Sequence, residues 1–113
     1  MSAPIEVELV RLDDCPHWRQ ADARLREAMR RSGLDPTRLR YQVVHTVDAP
    51  ASFPGSPTIL VDGRDAFPAP APVGPTCRRY PTQQGIEGAP SLEQLVEALA
   101  RRPPEPAPEG QPR

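Results

Sequence analysis

The distribution of proline limits which parts of this chain can form a folded core. Of its 113 residues, 17 are proline, which is about three times ordinary usage. Five prolines fall in residues 103–112 and another five in residues 68–81. Proline lacks a backbone N–H and has a fixed φ, so such runs cannot continue a helix or the middle of a sheet. We therefore predict one folded domain over residues 1–102 and a disordered tail over residues 103–113.

The charged residues, the apolar runs and the cysteines indicate which classes of protein this chain does not resemble. Fourteen basic and fifteen acidic residues give a formal net charge of −1 without a basic stripe, which predicts no nucleic-acid partner. Every basic residue is arginine, so a Schiff-base lysine mechanism is excluded. Apolar runs are too short for a membrane span, and the start of the chain has no signal-peptide pattern. Two cysteines are too few for a secreted disulfide scaffold, which favours a cytoplasmic protein.

Hydrophobic periodicity predicts four strands and two helices. The predicted strands cover residues 5–12, 39–47, 58–61 and 76–80, and the predicted helices cover residues 17–32 and 91–102. Gly33 ends the first helix, and Ser91 with Gln94 forms a capping box at the second. Asp62-Gly63 has the composition of a tight hairpin turn. The Pro/Ala-rich residues 64–75 are nevertheless expected to delay the return strand until residue 76.

The lengths of the connections predict the order of the strands. Two strands joined by a helix are parallel neighbours in a sheet. Only about ten residues, 48–57, separate the second strand from the third, which is too short for another helical crossover. An antiparallel third strand on the far side of the first strand resolves this problem. The prediction is an α/β fold with a four-stranded mixed sheet, order 2-1-3-4, and helices packed on its faces.

Cys15 is the first candidate for chemistry because it lies between a central strand and the first helix. The N–H groups and the dipole at a helix N-terminus stabilise a thiolate. Asp13 and Asp14 oppose this effect through like-charge repulsion, and a protonated His17 partly offsets them. The alternative interpretation is an inert, half-buried thiol.

Cys77 is the second candidate, and its role depends on the fold. On an edge strand it is a structural residue far from Cys15. If residues 64–76 fold back over the end of the sheet, Cys77 becomes a remote resolving thiol. The two thiolates would then also suit a soft metal such as Hg(II), Cu(I) or Zn(II), although no zinc-ligand spacing is present.

Other conspicuous residues have simpler interpretations. Trp18 is predicted to be core or the wall of a groove, and His45 a partly exposed structural residue. Arg78-Arg79 is interpreted as a solvated edge, and residues 85–88 as a loop. The sequence contains no Ser/His/Asp arrangement, no glycine-rich phosphate loop and no metal motif, and predicts no resident cofactor.

The chain resembles the thioredoxin-like superfamily over residues 5–102. Two segments carry the resemblance: Leu12-Asp13-Asp14-Cys15-Pro16-His17-Trp18 and Gly55-Ser56-Pro57-Thr58-Ile59-Leu60-Val61-Asp62-Gly63. It implies that the Ser56–Pro57 bond is cis and that Pro57 faces Cys15 across a groove where backbone groups pair with an extended substrate. The implied groove residues are Pro16, His17, Trp18, Ser56, Pro57 and Thr58. Trp18 occupies the resolving-cysteine position of this family, so the resemblance implies a one-cysteine site of glutaredoxin or peroxiredoxin type.

A more specific resemblance is to short bacterial thioredoxin-like proteins. They share a Cys-Pro-His/Asn-Trp turn, a Gly-Ser-Pro-Thr loop and a later Cys-Arg-x-Tyr, here residues 15–18, 55–58 and 77–80. These proteins are often described as thioredoxin family and sometimes as alkylmercury lyase. The resemblance implies a thiol-redox protein that acts on a thiol or disulfide substrate or a partner protein. Two alternatives stay open: a non-catalytic binding module, and an organomercurial protein that uses Cys15 with Cys77.

Overall fold

The computed structural model describes residues 5–50, 53–68 and 78–101. The strands are β1 (Val7–Leu12), β2 (Arg40–Val44), β3 (Thr58–Val61), β4 (Arg64–Asp65), β5 (Tyr80–Thr82) and β6 (Gly85–Glu87). The helices are α1 (Trp18–Arg31) and α2 (Leu92–Arg101), and short 3-10 turns cover Pro36–Arg38 and Thr46–Asp48. The predicted tail over residues 103–113 and Cys77 lie outside the described residues. Among the described residues, neither α1 nor α2 combines the length and the apolar character that a bilayer crossing requires.

The main sheet has four strands in the order β2-β1-β3-β4. The central strand β1 pairs in parallel with β2 and antiparallel with β3, as the connection lengths predict. The α/β class, the mixed sheet and its strand order are therefore confirmed. Because β1 lies between β2 and β3, its carboxyl end at Leu12 is flanked by a strand on each side.

The fourth strand is not the predicted one. The turn at Asp62-Gly63 has positive φ at both residues, 52° and 80°, which is the geometry that reverses a hairpin within two residues. The chain therefore returns at once as β4, which pairs antiparallel with β3. The predicted strand over residues 76–80 is described from residue 78 on, and of residues 78–80 only Tyr80 belongs to a strand; it starts β5, which pairs with β6 in a separate two-stranded sheet. Residues 85–88 were predicted to be a loop, and this was wrong because Gly85–Glu87 forms β6.

Both described helices, α1 and α2, cover the same face of the main sheet, whereas the prediction was of helices packed on its faces. One buried cluster joins side chains of α1 and α2 to the side chains that alternate onto one face of β1 and β3: Val7, Leu9, Ala21, Leu25, Ala28, Met29, Ile59, Val61, Leu95, Ala98 and Leu99. In the described part of the link between β2 and β3, residues 45–50 and 53–57, the one helical element is the 3-10 turn Thr46–Asp48.

The second face of the sheet carries a smaller cluster. Its buried members are Val10, Leu12, Cys15 and Phe53, with the partly buried Val44, Ala49 and Leu60 packed against them. Trp18 contacts both clusters. Cys15 is therefore part of the apolar packing on the face that neither α1 nor α2 covers.

The helix boundaries follow the predicted capping residues. At α2, the Ser91 N–H donates to Gln94 Oε1 at 2.9 Å and the Gln94 N–H donates to Ser91 Oγ at 3.1 Å, a reciprocal capping box. At the end of α1, Gly33 has φ 77°. The N–H groups of Gly33 and Leu34 donate to the carbonyls of Arg30 and Met29, which is the Schellman arrangement. Each of these ends therefore satisfies backbone groups that a helix leaves unpaired.

Candidate functional site around Cys15

Cys15 sits in the turn that connects β1 to α1. Its N–H donates to the Leu12 carbonyl at 3.1 Å, and it precedes the N-cap residue His17 by two positions. The thiol is free and only 6% of the residue is exposed. Val10, Leu12 and Phe53 surround it. Cys15 is therefore buried among apolar side chains at the carboxyl end of the central strand, which is where open α/β sheets carry their ligand sites.

The loop that contains Pro57 is fastened to the same end of β1. The Leu12 N–H donates to Ser56 Oγ at 2.9 Å, and Thr58 Oγ1 donates to the Gly55 carbonyl at 2.6 Å. The Ser56–Pro57 peptide is cis, as the resemblance predicts. Ser56, Pro57 and Thr58 are all buried. Only two residues separate Leu12 from Cys15, so this hydrogen bond brings the Pro57 loop beside the cysteine turn.

Arg78 and Tyr80, which follow Cys77 in the sequence, also form hydrogen bonds with the Pro57 loop. The Arg78 N–H donates to the Ser56 carbonyl at 2.7 Å, and the Tyr80 hydroxyl donates to the Pro57 carbonyl at 2.5 Å. Both carbonyls of the loop are thus bonded within the chain. The resemblance implies that backbone groups of this loop pair with an extended substrate, and these two carbonyls already accept hydrogen bonds from Arg78 and Tyr80.

Arg78 is a buried structural residue, and its interpretation as a solvated edge was wrong. The residue is 6% exposed. Its guanidinium pairs with Asp65 at 2.9 Å, donates to Thr58 Oγ1 at 3.2 Å and also donates to the Phe67 carbonyl. It therefore ties β3, β4 and the Pro57 loop together, whereas its neighbour Arg79 is exposed as predicted. The Cys-Arg-x-Tyr pattern contained the signal for this role, because it singles out Arg78 and Tyr80.

Burial and neighbouring charges determine the pKa of Tyr80. Burial is the largest cause that raises the pKa of Tyr80 above its usual range; the Arg78 guanidinium opposes this shift. Negative charge on Asp65 and on Cys15 raises that pKa further. Tyr80 also packs edge-on against Phe67, with ring centroids 5.7 Å apart. The phenol is therefore a neutral hydrogen-bond donor at neutral pH.

The other three predicted groove residues, Pro16, His17 and Trp18, are less buried than Ser56, Pro57 and Thr58. Pro16 is exposed, and His17 and Trp18 are half-buried. The imidazole of His17 lies against Gly88, where an added Cβ would approach its ring atoms to between 2.4 and 2.7 Å. The Trp18 ring carries the guanidinium groups of Arg11 and Arg19 at 4.3 and 5.1 Å from its centroid. Trp18 is thus part of the packing, as predicted, and also an acceptor of cation–π contacts.

A cluster of polar side chains joins the carboxyl ends of β1 and β2. Asp13 contacts His45 Nδ1 at 3.1 Å and accepts from the Thr46 N–H at 3.2 Å and from Thr46 Oγ1 at 2.9 Å. Asp14 accepts from Thr46 Oγ1 at 3.0 Å. The hydrogen bonds from His45 and then those from Thr46 lower the pKa of Asp13 to about 2. Residue spacing alone did not reveal this cluster, although parallel neighbouring strands bring their carboxyl ends together.

The Asp13 cluster gives a pH-dependent prediction. In the folded state Asp13 has a pKa of about 2, against 3.8 for the isolated group. Its contribution to stability is therefore complete above pH 3.8 and disappears as the pH falls towards 2. We expect Asp13→Asn to lower the melting temperature at pH 6 and to match the wild type near pH 2. Asp48→Asn, on the exposed 3-10 turn, serves as the control, and a melting-temperature difference for Asp13→Asn that stays constant across this range would contradict the assignment.

Metal ligands are not assembled in the described part of the chain. No group of three or more His, Cys, Asp or Glu side chains there could hold a metal ion. The predicted pair of thiolates needs Cys77, which lies outside the described residues, so the soft-metal interpretation stays a prediction.

Comparison of the chain with protein-family models, with curated proteins and with solved structures finds no match. The candidate site therefore has to be interpreted from its own residues and their geometry.

Proposed function

We propose that this chain is a thioredoxin-like thiol protein in which Cys15 is the reacting group. The observation that carries the proposal is the hydrogen bond from the Leu12 N–H to Ser56 Oγ at 2.9 Å. It joins the strand end that leads into Cys15 to the loop that contains Pro57. A cysteine beside a proline loop at the carboxyl end of a central strand is the arrangement that the resemblance to thioredoxin-like proteins implies.

The chemistry that suits one such cysteine is thiol–disulfide exchange. The Cys15 thiolate attacks one sulfur of a disulfide, a new S–S bond forms, and the displaced sulfur leaves as a thiolate that takes up a proton. Trp18 occupies the position where a dithiol motif has its second cysteine. A thiol from outside the Cys15–Trp18 turn must therefore resolve the mixed disulfide, and a small-molecule thiol or Cys77 can supply it.

Access to Cys15 depends on the groups that cover it. Cys15 is 6% exposed, and Phe53 packs against it. The bonds from Arg78 and Tyr80 keep the Pro57 loop in place. We therefore expect Cys15 to react more slowly than an exposed thiol and to accelerate when either of these contacts is weakened.

The test is the reaction of the native protein with monobromobimane and with glutathione disulfide. Cys15→Ser is expected to abolish the labelling at residue 15 and the mixed disulfide, whereas Cys77→Ser only weakens them or has no effect. Tyr80→Phe removes the bond to the Pro57 carbonyl and is expected to speed labelling of Cys15. Thr82→Val, in the same strand β5, is the matched control. Equal loss in both cysteine variants would instead favour a two-thiol site.

The burial of Cys15 supports a second candidate function. A thiol enclosed by apolar side chains is ordinarily inert, and in that case the domain is a non-catalytic module that recognises a partner. This candidate predicts that the native protein forms no mixed disulfide with glutathione disulfide and that Cys15→Ser leaves partner binding intact. A mixed disulfide at Cys15, located by mass spectrometry of the native protein, rejects it.

A further inference from the structure

A groove lies between α1 and the outer edge of the main sheet, and Trp18 is its only lining residue that also belongs to the groove residues implied by the resemblance. It has a volume of about 280 Å³ and its lining residues are Arg11, Trp18, Asp22, Arg26, Tyr41 and Val43. We call it the edge groove. Arg11 and the two β2 residues share one face of the sheet because Arg11 pairs with Val43, and Leu9 pairs with Tyr41.

The strand that borders the edge groove is the last strand on its side of the sheet. β2 pairs with β1, and within the described ranges no other strand pairs with it. Tyr41 is 52% exposed and Val43 is 45% exposed. An outer strand with unpaired backbone groups and exposed apolar side chains is a template for another extended chain.

The charge of the edge groove is positive and incompletely neutralised. Asp22, the acidic residue in its lining, already pairs with Arg26 at 3.1 Å and accepts from the Tyr41 hydroxyl at 2.5 Å. Partial burial, and then this bond to Asp22, raise the pKa of Tyr41 to about 12, so its hydroxyl remains a donor. Arg11 and Arg19 stack on Trp18, and no carboxylate of the described residues pairs with either.

We propose that the edge groove binds an acidic, extended segment of a partner protein. The segment adds to β2 through main-chain hydrogen bonds, and its apolar side chains contact Tyr41 and Val43. One of its carboxylates enters the groove and pairs with the planar guanidinium of Arg11, which matches a carboxylate in shape and charge.

Charge favours an acidic peptide in the edge groove over two other occupants, a second copy of this chain and a nucleic acid. A second copy of the chain joined edge to edge through β2 would add a second positive groove and no carboxylate for Arg11. A nucleic acid needs a continuous positive surface, but Asp13 and Asp14 lie at the carboxyl end of β1 next to this face. An acidic peptide needs only one or two carboxylates at the groove.

Trp18 provides a direct readout, because it is the chain's single tryptophan and it lines the edge groove. The probe is a blocked ten-residue peptide of alternating Glu and Val, compared with a peptide of alternating Lys and Val. We expect a saturable change in Trp18 fluorescence with the acidic peptide and none with the basic one. Binding should weaken as NaCl is raised, because the carboxylate contact is partly exposed.

Val43→Glu places a carboxylate inside the groove and is expected to weaken binding of the acidic peptide by roughly tenfold or more. Val47→Glu is the matched control: it adds the same charge at a residue that is 91% exposed and is not part of the groove lining, and it should bind like the wild type. If Val43→Glu does not fold, as judged by circular dichroism, Arg11→Gln tests the same carboxylate contact and should also weaken binding.

Several results would overturn the proposal. These are an unchanged Trp18 fluorescence with the acidic peptide, equal binding by Val43→Glu and Val47→Glu, binding of the basic peptide or of oligothymidylate at the same site, and self-association that Val43→Glu abolishes. Cys15→Ser should bind the acidic peptide like the wild type, so the proposed thiol function and the edge groove can fail independently.

Discussion

Replacement of Arg78 by alanine is expected to destabilise the domain by about 3 kcal/mol, because it breaks a buried ion pair from one side. Asp65 would keep its charge while only 21% of its side chain is exposed. The Thr58 hydroxyl and the Phe67 carbonyl would each lose a bond from the same guanidinium. At about 4–8 °C per kcal/mol for a domain of this size, the melting temperature should fall on the order of 15 °C.

The neighbouring residue supplies the control for Arg78. Arg79 is exposed, so Arg79→Ala should change stability by less than about 0.5 kcal/mol. The double variant Arg78→Met with Asp65→Asn removes both charges and should recover part of the loss. Similar melting temperatures for Arg78→Ala and Arg79→Ala would refute the buried role. In folded Arg78→Ala, labelling of Cys15 by monobromobimane should also be faster, since Thr58, the residue after Pro57, loses its bond from the guanidinium.

The second large effect is expected at Gly88, where the space for a side chain is already filled. A Cβ at this position would lie 2.4 Å from Cγ of His17 and 2.7 Å from its Nδ1. The whole imidazole would have to move, and it belongs to the N-cap residue of α1. We expect Gly88→Ala to cost about 2 kcal/mol through overpacking, measured by urea unfolding.

Removal of the imidazole tests this explanation directly. His17→Ala opens the space, so the double variant His17→Ala with Gly88→Ala should be more stable than the sum of the two single changes predicts. The required controls are His17→Ala alone and the wild type. Additive losses would show that Gly88 acts through its backbone rather than through contact with His17.

The main sheet was predictable because its constraints are local. The apolar run of β1, the helix that separates it from β2 and the short link to β3 leave one arrangement of these three strands. The fourth strand was predicted too late in the sequence. Asp62-Gly63 indicates a tight turn, but the prolines after residue 67 suggested that no strand follows it directly. A two-residue β4 needs very little sequence, and its pairing depends on the turn geometry rather than on an apolar pattern.

Two features could not be predicted from local sequence: the face of the sheet on which the helices pack, and the residues that hold the Pro57 loop in place. Helix amphipathicity indicates that a helix packs on a sheet but not on which face, so the common face of α1 and α2 emerges only in three dimensions. Arg78 and Arg79 have the same side chain, and only the fold buries one of them. The position of Cys15 and the cis Ser56–Pro57 bond were anticipated, because the resemblance gives both as features of one motif.

The alternation of β1 has a consequence for how this chain tolerates insertions and deletions. Val7 and Leu9 point to the helices, whereas Val10 and Leu12 point to the cluster that contains Cys15. This assignment depends on whether the count of residues along the strand is odd or even. A single-residue insertion in β1 would exchange the two sets and carry the turn at Cys15 away from the Pro57 loop. A two-residue insertion preserves the alternation, so evolution or engineering can lengthen this strand only in pairs.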